Sequence, residues 1–270
     1  MGPIYVFAAS RMEGRPVERL AATRTGAPGI GLAEVRLADA SRIRLIITGI
    51  GPRHAEQNAR SAFGLGEADP PKTGDEGTRP AVVIVIGLCG AVSPSLQEAD
   101  LVTYTDVVST EGHQPPLSCA RNLRERITNG LSSKGMRCVP VVGISSPQVA
   151  VTRKEKLALA QKGAAVVDME SYAVLSAAVE AEVPAAVLRV VSDSLDARIP
   201  DFTSAVGADG QIEAGKAARI AARHPLQTAR LLLGSQRAMR KLSRALGLLV
   251  GSDVLEVLSA SARETPGATS

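Results

Sequence analysis

The chain has 270 residues, of which 45% are hydrophobic, 21% are charged and only 2% are aromatic, and its net charge is +4. This length suits one large α/β domain with a sizeable buried core. Because aromatic side chains are so few, the composition argues against the base-stacking surfaces of single-strand nucleic-acid binders. We therefore expect no nucleic-acid partner.

The cysteines and the apolar segments indicate a cytoplasmic protein. Cys89, Cys119 and Cys138 are odd in number and widely spaced, which fits neither a disulfide framework nor a zinc site. The first residues lack the basic lead-in of a signal peptide and are typical of a strand. The apolar run 81–92 spans about 12 residues, whereas a membrane-spanning helix needs about 20. We expect no metal site.

Apolar runs and turn residues predict strands and helices that alternate along the chain. The predicted strands are 4–9, 42–47, 81–86, 101–108, 139–143, 164–167 and 185–191. The predicted helices are 55–63, 168–182, 212–223 and 226–248. Asp168 is the expected cap of the second helix. This order predicts an α/β fold in which a central mixed, largely parallel sheet is flanked by helices.

The domain organisation follows from the same pattern. Residues 1–208 are predicted to form one α/β domain, and 209–255 a helical C-terminal extension packed on that domain. The Gly/Pro-rich segment 64–80 is predicted to be a mobile loop inside the domain. Residues 256–270 are predicted to be a disordered tail.

Three predicted strand ends carry glycine or polar residues, and ligand sites of open α/β sheets gather at such ends. The segments are 49–53, 87–91 and 189–193. A glycine-rich turn lets backbone N–H groups approach an anion or a sugar closely. Each turn alone is a weak signal, because most such turns only reverse the chain.

Four segments in register resemble the nucleoside phosphorylase and nucleosidase family. They are Thr48–Pro52, Val85–Ala91, Val167–Glu170 and Leu188–Asp193. The resemblance covers residues 4–205, with 64–80 as an insertion. It implies an enzyme without a cofactor that cleaves the N-glycosidic bond of a purine nucleoside, with phosphate as co-substrate if the enzyme is a phosphorylase.

A narrower resemblance is to the hopanoid-associated phosphorylase-like branch of that family. It rests on Lys156, segments 167–172 and 189–196, Pro200, Asp209-Gly210 and the basic tail after His224. It implies that the substrate is a 5′-substituted adenosine, adenosylhopane, from which adenine is released in hopanoid biosynthesis. The alternatives are a methylthioadenosine/adenosylhomocysteine nucleosidase or another purine nucleoside phosphorylase, and a non-catalytic nucleoside-binding protein.

The family resemblance assigns a role to each polar residue of the strand ends. Asp193 would protonate the departing purine, and Glu13 would activate the attacking water. Glu170 would accept hydrogen bonds from the ribose hydroxyls, and Met169 would pack on the sugar. The alternatives are structural: a helix cap for Asp193, a solvated loop position for Glu13, a first-turn acid for Glu170 and a core residue for Met169.

The remaining candidates concern substrate contacts and the choice between water and phosphate. The other substrate-binding candidates are Gly87, Cys89, Gly90 and Ser192. Gly51 and Arg53 are candidates for binding a phosphate or another anion. Leu88 stands where phosphorylases of this family often have a hydroxyl, and a leucine side chain cannot bond phosphate, so this position slightly favours hydrolysis. The alternative stays open, because Arg11, Arg53 and the backbone N–H groups of 87–90 could bind phosphate, and the resemblance to the phosphorylase-like branch favours phosphorolysis. We expect Arg189 to be a buried partner of a carboxylate.

The predicted C-terminal helix is both apolar and basic. Its apolar residues include Leu226, Leu231, Leu232, Leu233, Met239, Leu242 and Leu246. One interpretation is a helix that lies on an anionic membrane surface and serves a lipid-linked substrate, which would make the protein peripheral to the inner membrane. The other is a helix packed on the domain with a solvated basic face. The family resemblance also implies a homo-oligomer.

Overall fold

The computed structural model describes residues 3–20, 42–65 and 80–250, together with the backbone of the strands at 23–25 and 31–36. Its strands are β1 Ile4–Ala8, β2 Thr23–Thr25, β3 Gly31–Arg36, β4 Arg42–Ile47, β5 Val82–Ala91, β6 Leu101–Ser109, β7 Leu117–Ser118, β8 Cys138–Ser145, β9 Val166–Asp168 and β10 Ala185–Asp193. Its helices are α1 Arg11–Glu18, α2 Pro52–Ala62, α3 Arg121–Ser132, α4 Arg153–Ala160, α5 Ser171–Glu180, α6 Ala214–Arg223 and α7 Pro225–Val250, with a 3-10 turn at Thr203–Ala205.

The strands form one mixed sheet that closes on itself. Its order is β10-β6-β8-β9-β5-β1-β4-β3-β2, and β10 also pairs with β5. The strands β5, β9, β8, β6 and β10 therefore form a closed ring, from which β1, β4, β3 and β2 extend. The pairs β1–β4, β1–β5 and β5–β10 are parallel, whereas β5–β9 and β6–β10 are antiparallel. The predicted α/β class with a mixed central sheet is confirmed.

Helices cover both faces of this sheet because its central strands are apolar on both sides. In β5, Val82, Ile84 and Ile86 face a cluster that includes side chains of α1, α3 and α7. The alternate residues Val83 and Val85 face a second cluster, to which α2 and α5 contribute. Helices thus pack on both faces of the sheet, and its strand ends are free to form a site.

Several predicted boundaries of strands and helices are wrong, and they lie next to the strand ends. The segment 87–91, predicted as a turn, continues β5 and pairs with β9 and β10. The helix predicted from Asp168 begins at Ser171. Asp168 instead ends β9, and its carboxylate accepts a hydrogen bond from the backbone N–H of Ser171 at 3.0 Å. Helices α1, α3 and α4 were not predicted at all.

The C-terminal helices differ in how they contact the domain. In α7 the second half is buried against the sheet, with Leu242 completely buried and Leu249 nearly so. Helix α6 has no buried residue. Within the described part of the chain, no helix combines the length and the apolar character needed to cross a bilayer. The predicted loop and tail fall mainly on residues 66–79 and 251–270, which lie outside the described residues.

Candidate active site

A cleft of about 290 Å³ opens where β5, β9 and β10 end. It is lined by Ala9, Ser10, Met12, Glu13, Ile50, Leu88, Cys89, Gly90, Gln148, Val149, Ala150, Val167, Asp168, Met169, Glu170, Ser192, Asp193, Ile199, Pro200, Phe202 and Leu231. Glu170 and Asp193, which are 23 positions apart in the sequence, therefore share one cavity. The size is close to that of small-ligand sites, which start at about 300 Å³.

Asp193 lies at the end of β10, and its carboxylate is held from both sides. The Ser192 hydroxyl donates to Oδ1 at 2.6 Å, and the Lys156 ammonium donates to Oδ2 at 2.5 Å. Gly90 on the neighbouring strand leaves room for this carboxylate, because a Cβ at position 90 would lie 3.1 Å from Oδ2. The carboxylate is thus fixed in place while it borders the cleft.

Arg189 lies beneath another part of the cleft and joins three carboxylates. Its guanidinium is 1% exposed. The nearest ion-pair distances are 3.5 Å to Asp168, 3.5 Å to Glu170 and 4.0 Å to Glu13. Burial acts to lower the pKa of Arg189, but the negative charges of Asp168 and Glu170 outweigh it, so the pKa lies above its ordinary value. The predicted pairing of Arg189 with a carboxylate is what the geometry shows.

Asp168 is the centre of a buried hydrogen-bond network that keeps the strand ends together. Its carboxylate accepts from the Tyr104 hydroxyl at 3.0 Å and from the Ser145 hydroxyl at 2.7 Å. It also accepts from the backbone N–H of Glu170 at 3.1 Å. A buried hydrogen-bond network whose members all have partners is rigid. Asp168 therefore holds the backbone of Glu170 in place.

Glu170 has an unusual protonation equilibrium. It accepts a hydrogen bond from the Gly51 N–H at 3.0 Å. Burial raises its pKa to about 7, with the charge of Arg189 opposing the rise and the charges of Asp168 and Glu13 adding to it. Glu170 therefore changes charge near neutral pH, which is typical of residues at functional sites.

Glu13 is not in a loop but in the first turn of α1. Ser10 and Glu13 form a capping box, in which each side chain satisfies a free backbone N–H of the helix start. The other carboxylate oxygen of Glu13 accepts from the Leu88 N–H at 2.7 Å. The helix thus inserts a buried carboxylate against β5.

The role of Gly87 is to make room for this arrangement. Its φ is +146°, and a Cβ there would lie 2.5 Å from both Arg189 Nη1 and Glu13 Oε1. Only glycine is compatible with both constraints. Gly87 itself is absent from the cleft lining, and the structure shows it in a packing role, so its predicted substrate contact stays a prediction.

The structure brings most of the predicted site residues together. Those that line the cleft are Glu13, Cys89, Gly90, Met169, Glu170, Ser192 and Asp193. The two anion-binding candidates are placed otherwise: the Gly51 N–H binds Glu170, and Arg53 is exposed on α2, outside the lining. The Gly51 N–H therefore already binds a carboxylate of the protein, and the anion-binding role of the two residues stays a prediction.

The sequence did not identify the apolar wall of the cleft. This wall comprises Met12, Ile50, Ile199, Pro200, Phe202 and Leu231. These residues come from separate segments of the chain, so no local pattern unites them. The described residues contain no group of three or more His, Cys, Asp or Glu side chains arranged to hold a metal ion.

The charges of the cleft are unequally distributed. Four carboxyl groups line it, at Glu13, Asp168, Glu170 and Asp193, and none of the described lining residues is Lys or Arg. Arg189 offsets part of the negative charge near the first three, while the buried Lys156 neutralises Asp193. One part of the cleft is therefore anionic, and the part near Asp193 is a neutral ion pair.

The fold is shared with solved nucleosidase structures. Futalosine hydrolase of Helicobacter pylori has a TM-score of 0.69 at 16% identity, covering 93% of this chain and 97% of its own. A methylthioadenosine/adenosylhomocysteine nucleosidase of Colwellia psychrerythraea in complex with adenine has a TM-score of 0.67 at 17% identity, covering 93% and 95%. The Helicobacter pylori nucleosidase mutant with 5′-methylthioadenosine in its active site has a TM-score of 0.65 at 17% identity, covering 92% and 99%.

A family model matches most of the chain. The model is that of the phosphorylase superfamily, and it matches residues 17–224. A comparison with curated protein sequences finds no match. The match spans Glu170 and the strands that carry Asp168, Arg189 and Asp193. The chain therefore belongs to the phosphorylase superfamily, as an enzyme that cleaves an N-glycosidic bond.

Proposed function

We propose that this enzyme hydrolyses a 5′-substituted adenosine and releases adenine. The observation that carries the proposal is the lining of the cleft, which has four carboxyl groups and, among the described residues, no cationic side chain. Breaking the N-glycosidic bond builds positive charge on the sugar and negative charge on the base. Preorganised charges that oppose the developing ones lower the barrier.

Water suits this cleft better than phosphate as the attacking group. A phosphate would face carboxylates with no lysine or arginine lining the cavity among the described residues. The backbone N–H of Leu88, which could have bound an anion, already donates to Glu13. That N–H is therefore not free to bind a phosphate, and the Glu13 carboxylate can accept a proton from an attacking water.

The proposed roles follow the charge distribution. Glu170 accepts hydrogen bonds from the ribose hydroxyls, and with Glu13 and Asp168 it supplies negative charge to the sugar. Met169 borders the cleft beside Glu170 and packs on the sugar face. Asp193 donates a proton to the purine as the bond breaks, a contribution that is typically about 10²–10⁴-fold.

The 5′ substituent is proposed to be apolar, with a lipid of the adenosylhopane type as the first choice. The support is the wall formed by Ile50, Ile199, Phe202 and Leu231, which offers no charge to a polar group. The amino-acid group of adenosylhomocysteine would lose its hydration there without ionic partners. Methylthioadenosine, whose substituent is small and apolar, is the alternative substrate.

The helices α6 and α7 support a second part of the proposal, namely contact with an anionic membrane surface. Leu226, Leu232 and Leu233 are 76%, 57% and 54% exposed. They are interspersed with basic residues, including Arg223 and Arg230, both of which are exposed. A surface of this kind fits a cytoplasmic enzyme that is peripheral to a membrane. A homo-oligomer whose interface buries these leucines is the alternative to membrane contact.

A substrate series tests the proposed specificity. Adenine release is measured from adenosine, adenosylhomocysteine, and 5′-alkylthioadenosines whose alkyl chains grow from methyl to octyl, presented in detergent where needed. We expect kcat/KM to rise with chain length, since each buried CH₂ contributes about 0.8 kcal/mol. A preference for adenosylhomocysteine would contradict the apolar assignment. Release from no adenosine derivative would reject the function.

A further inference from the structure

Lys156 is a fully buried ammonium whose position points directly to Asp193. Its side chain is 0% exposed. It donates to Asp193 Oδ2 at 2.5 Å, to the Ser194 carbonyl at 2.6 Å and to the Ala197 carbonyl at 3.3 Å. An ammonium has three donors, and all three have acceptors here. Burying an ammonium costs free energy unless it is paired, and here the Asp193 carboxylate is its charged partner.

The element that carries Lys156 is anchored firmly. Helix α4 begins with a capping box between Thr152 and Glu155. Arg153 forms an ion pair with Asp196 at 2.6 Å, and both residues are exposed. The helix is thus tied twice to the segment after β10, once through Arg153 at the surface and once through Lys156 in the interior. Only the interior tie reaches the carboxylate that borders the cleft.

We propose that Lys156 is a positioning residue that holds, between turnovers, the proton that Asp193 delivers to the departing base. This inference rests on the proposed function, because it assigns the source of the proton for that reaction. In the resting pair the proton is on the Lys156 nitrogen, and Asp193 is a carboxylate that accepts from Lys156 and Ser192. Lys156 acts only through Asp193, since it does not line the cleft.

The proton transfers balance as follows. The bond between the sugar carbon and the purine nitrogen breaks, and its electron pair goes to the base. Lys156 gives its proton to the Asp193 carboxylate, which passes a proton to a ring nitrogen of the base, and Lys156 becomes a neutral amine. The attacking water forms the new bond to the sugar carbon and gives a proton to Glu13. Proton exchange with solvent then restores the ammonium at Lys156 and the carboxylate at Glu13.

The charged groups on the elements around this pair have ion-pair or hydrogen-bond partners of their own. On α4, Arg153 is paired with Asp196, and the exposed Glu155 caps the helix. On β9 and beyond it, Asp168 and Glu170 are paired with Arg189. On β5, the buried Cys89 thiol has a pKa raised by burial. From α7, Arg237 lies 3.8 Å from Glu98. Lys156 and Asp193 are therefore each other's principal partners.

The consequence is a distinctive pH dependence. An ammonium carries proton donors that a carboxylate lacks, so the pair supplies its proton from Lys156 while Asp193 accepts from it. Without Lys156, the proton on the side chain at position 193 has to come from solvent, so the rate of K156M should fall as the pH rises.

The test is the pH profile of kcat for adenine release by wild type, K156M, K156R and R153M. We expect the wild-type kcat to change less than about twofold between pH 6.5 and 8.5, and that of K156M to fall about tenfold or more over this range. K156R restores the charge but releases no proton, and it should not restore the wild-type profile. R153M, which breaks only the surface tie of the same helix, should retain that profile.

Thermal unfolding identifies variants that do not fold, and the comparison of K156R with wild type remains informative if K156M is among them. A K156M profile parallel to that of wild type, or full recovery in K156R, would overturn the role of Lys156. If wild type and D193N alike release no adenine, it is the proposed function that fails. If wild type releases adenine and D193N does not, the proposed function stands. The pH profiles of the Lys156 variants then decide the source of the proton.

Discussion

At the scale of single residues, the site depends on where charge is buried. Arg189 lies under the sheet end and interacts with Asp168, Glu170 and Glu13, so its positive charge is divided among three carboxylates. That part of the cleft keeps a net negative character, which is the sign that the positively charged sugar of the proposed reaction requires. An exposed arginine without these carboxylate partners would attract anions from solution.

The first prediction concerns Glu170 and pH. Its pKa is about 7, and only the ionised carboxylate accepts hydrogen bonds through both oxygens without a proton of its own. The ionised form dominates above pH 7 and is lost as the pH falls. We therefore expect kcat/KM to drop about tenfold per pH unit below pH 7, because kcat/KM follows the free enzyme.

The matched controls for this prediction are E170Q and E180Q. E170Q should have a lower kcat/KM that lacks the acidic limb, since glutamine does not titrate. Glu180 is exposed on α5 and paired with Arg60, so E180Q should keep the wild-type profile. Persistence of the acidic limb in E170Q would assign it to another group.

The second prediction separates catalysis from stability at Asp193. D193N should lower kcat by about 10²–10⁴-fold. It also leaves Lys156 buried without a counter-charge, and breaking a buried pair in this way costs about 3–5 kcal/mol of the free energy of unfolding. The double variant D193N/K156M should recover most of that stability and none of the activity. Chemical denaturation and adenine release measure the two quantities.

Two outcomes would argue against this assignment of Asp193. One is near-normal turnover in D193N. The other is a free energy of unfolding that D193N leaves unchanged, which would mean that the Lys156 pair contributes nothing to the fold. D201N is a suitable control, because Asp201 is exposed and bonds only a local backbone N–H among the described contacts.

The individual residues of the site were accessible from sequence to different degrees. Asp193 and Glu170 could be proposed because they stand in segments that resemble a known family. Lys156 is part of that resemblance, but its partner Asp193 is 37 positions away in the sequence. No spacing rule predicts that a lysine of α4 contacts the end of β10. Arg53 is a candidate by its charge and its place in the strand-end segment 49–53, and α2 directs it to the surface.

At the scale of secondary-structure elements, two unpredicted helices had a recognisable signal. Ser10 and Glu13 have the spacing of a capping box, and so do Thr152 and Glu155. This pattern marks helix starts in sequence, and it precedes both α1 and α4. These helices deliver Glu13 and Lys156 to the site. The strand extension of β5 through Gly87 had no such signal, because glycine is more typical of turns.

The third prediction concerns the helices α6 and α7. If they contact a membrane, the protein should sediment with vesicles that contain anionic phospholipid at low salt, and less so at high salt. Changing Leu232 and Leu233 to serine should reduce binding by removing exposed apolar surface. A second variant changes Arg240 and Arg244 to glutamine, in the half of α7 that packs on the domain. It tests whether the remaining basic residues suffice for vesicle binding.

The oligomeric state must be measured alongside this experiment. Loss of binding in the leucine variant without a change in molar mass by light scattering supports the membrane contact. A wild-type oligomer that dissociates in the leucine variant would show instead that these leucines form a subunit interface. Absence of vesicle binding at low salt would remove the membrane contact from the proposal.

At the scale of the whole molecule, the closed ring of strands positions the site. β5 pairs with both β9 and β10, so residues from three distant parts of the chain meet at one end of the ring. The alternation of strands and helices predicted the fold class. The strand order was beyond the sequence, because the β5–β10 contact joins residues about a hundred positions apart and depends on the packing of the complete core.

The chemical form of the released sugar distinguishes hydrolysis from phosphorolysis. The enzyme is incubated with its preferred 5′-alkylthioadenosine, with and without inorganic phosphate, and adenine release and the sugar product are measured by chromatography and mass spectrometry. A hydrolase with an anionic cleft predicts equal rates in both conditions and a free reducing sugar. Release that requires phosphate, with a sugar 1-phosphate as product, would contradict the assignment of Glu13 and the anionic cleft to water.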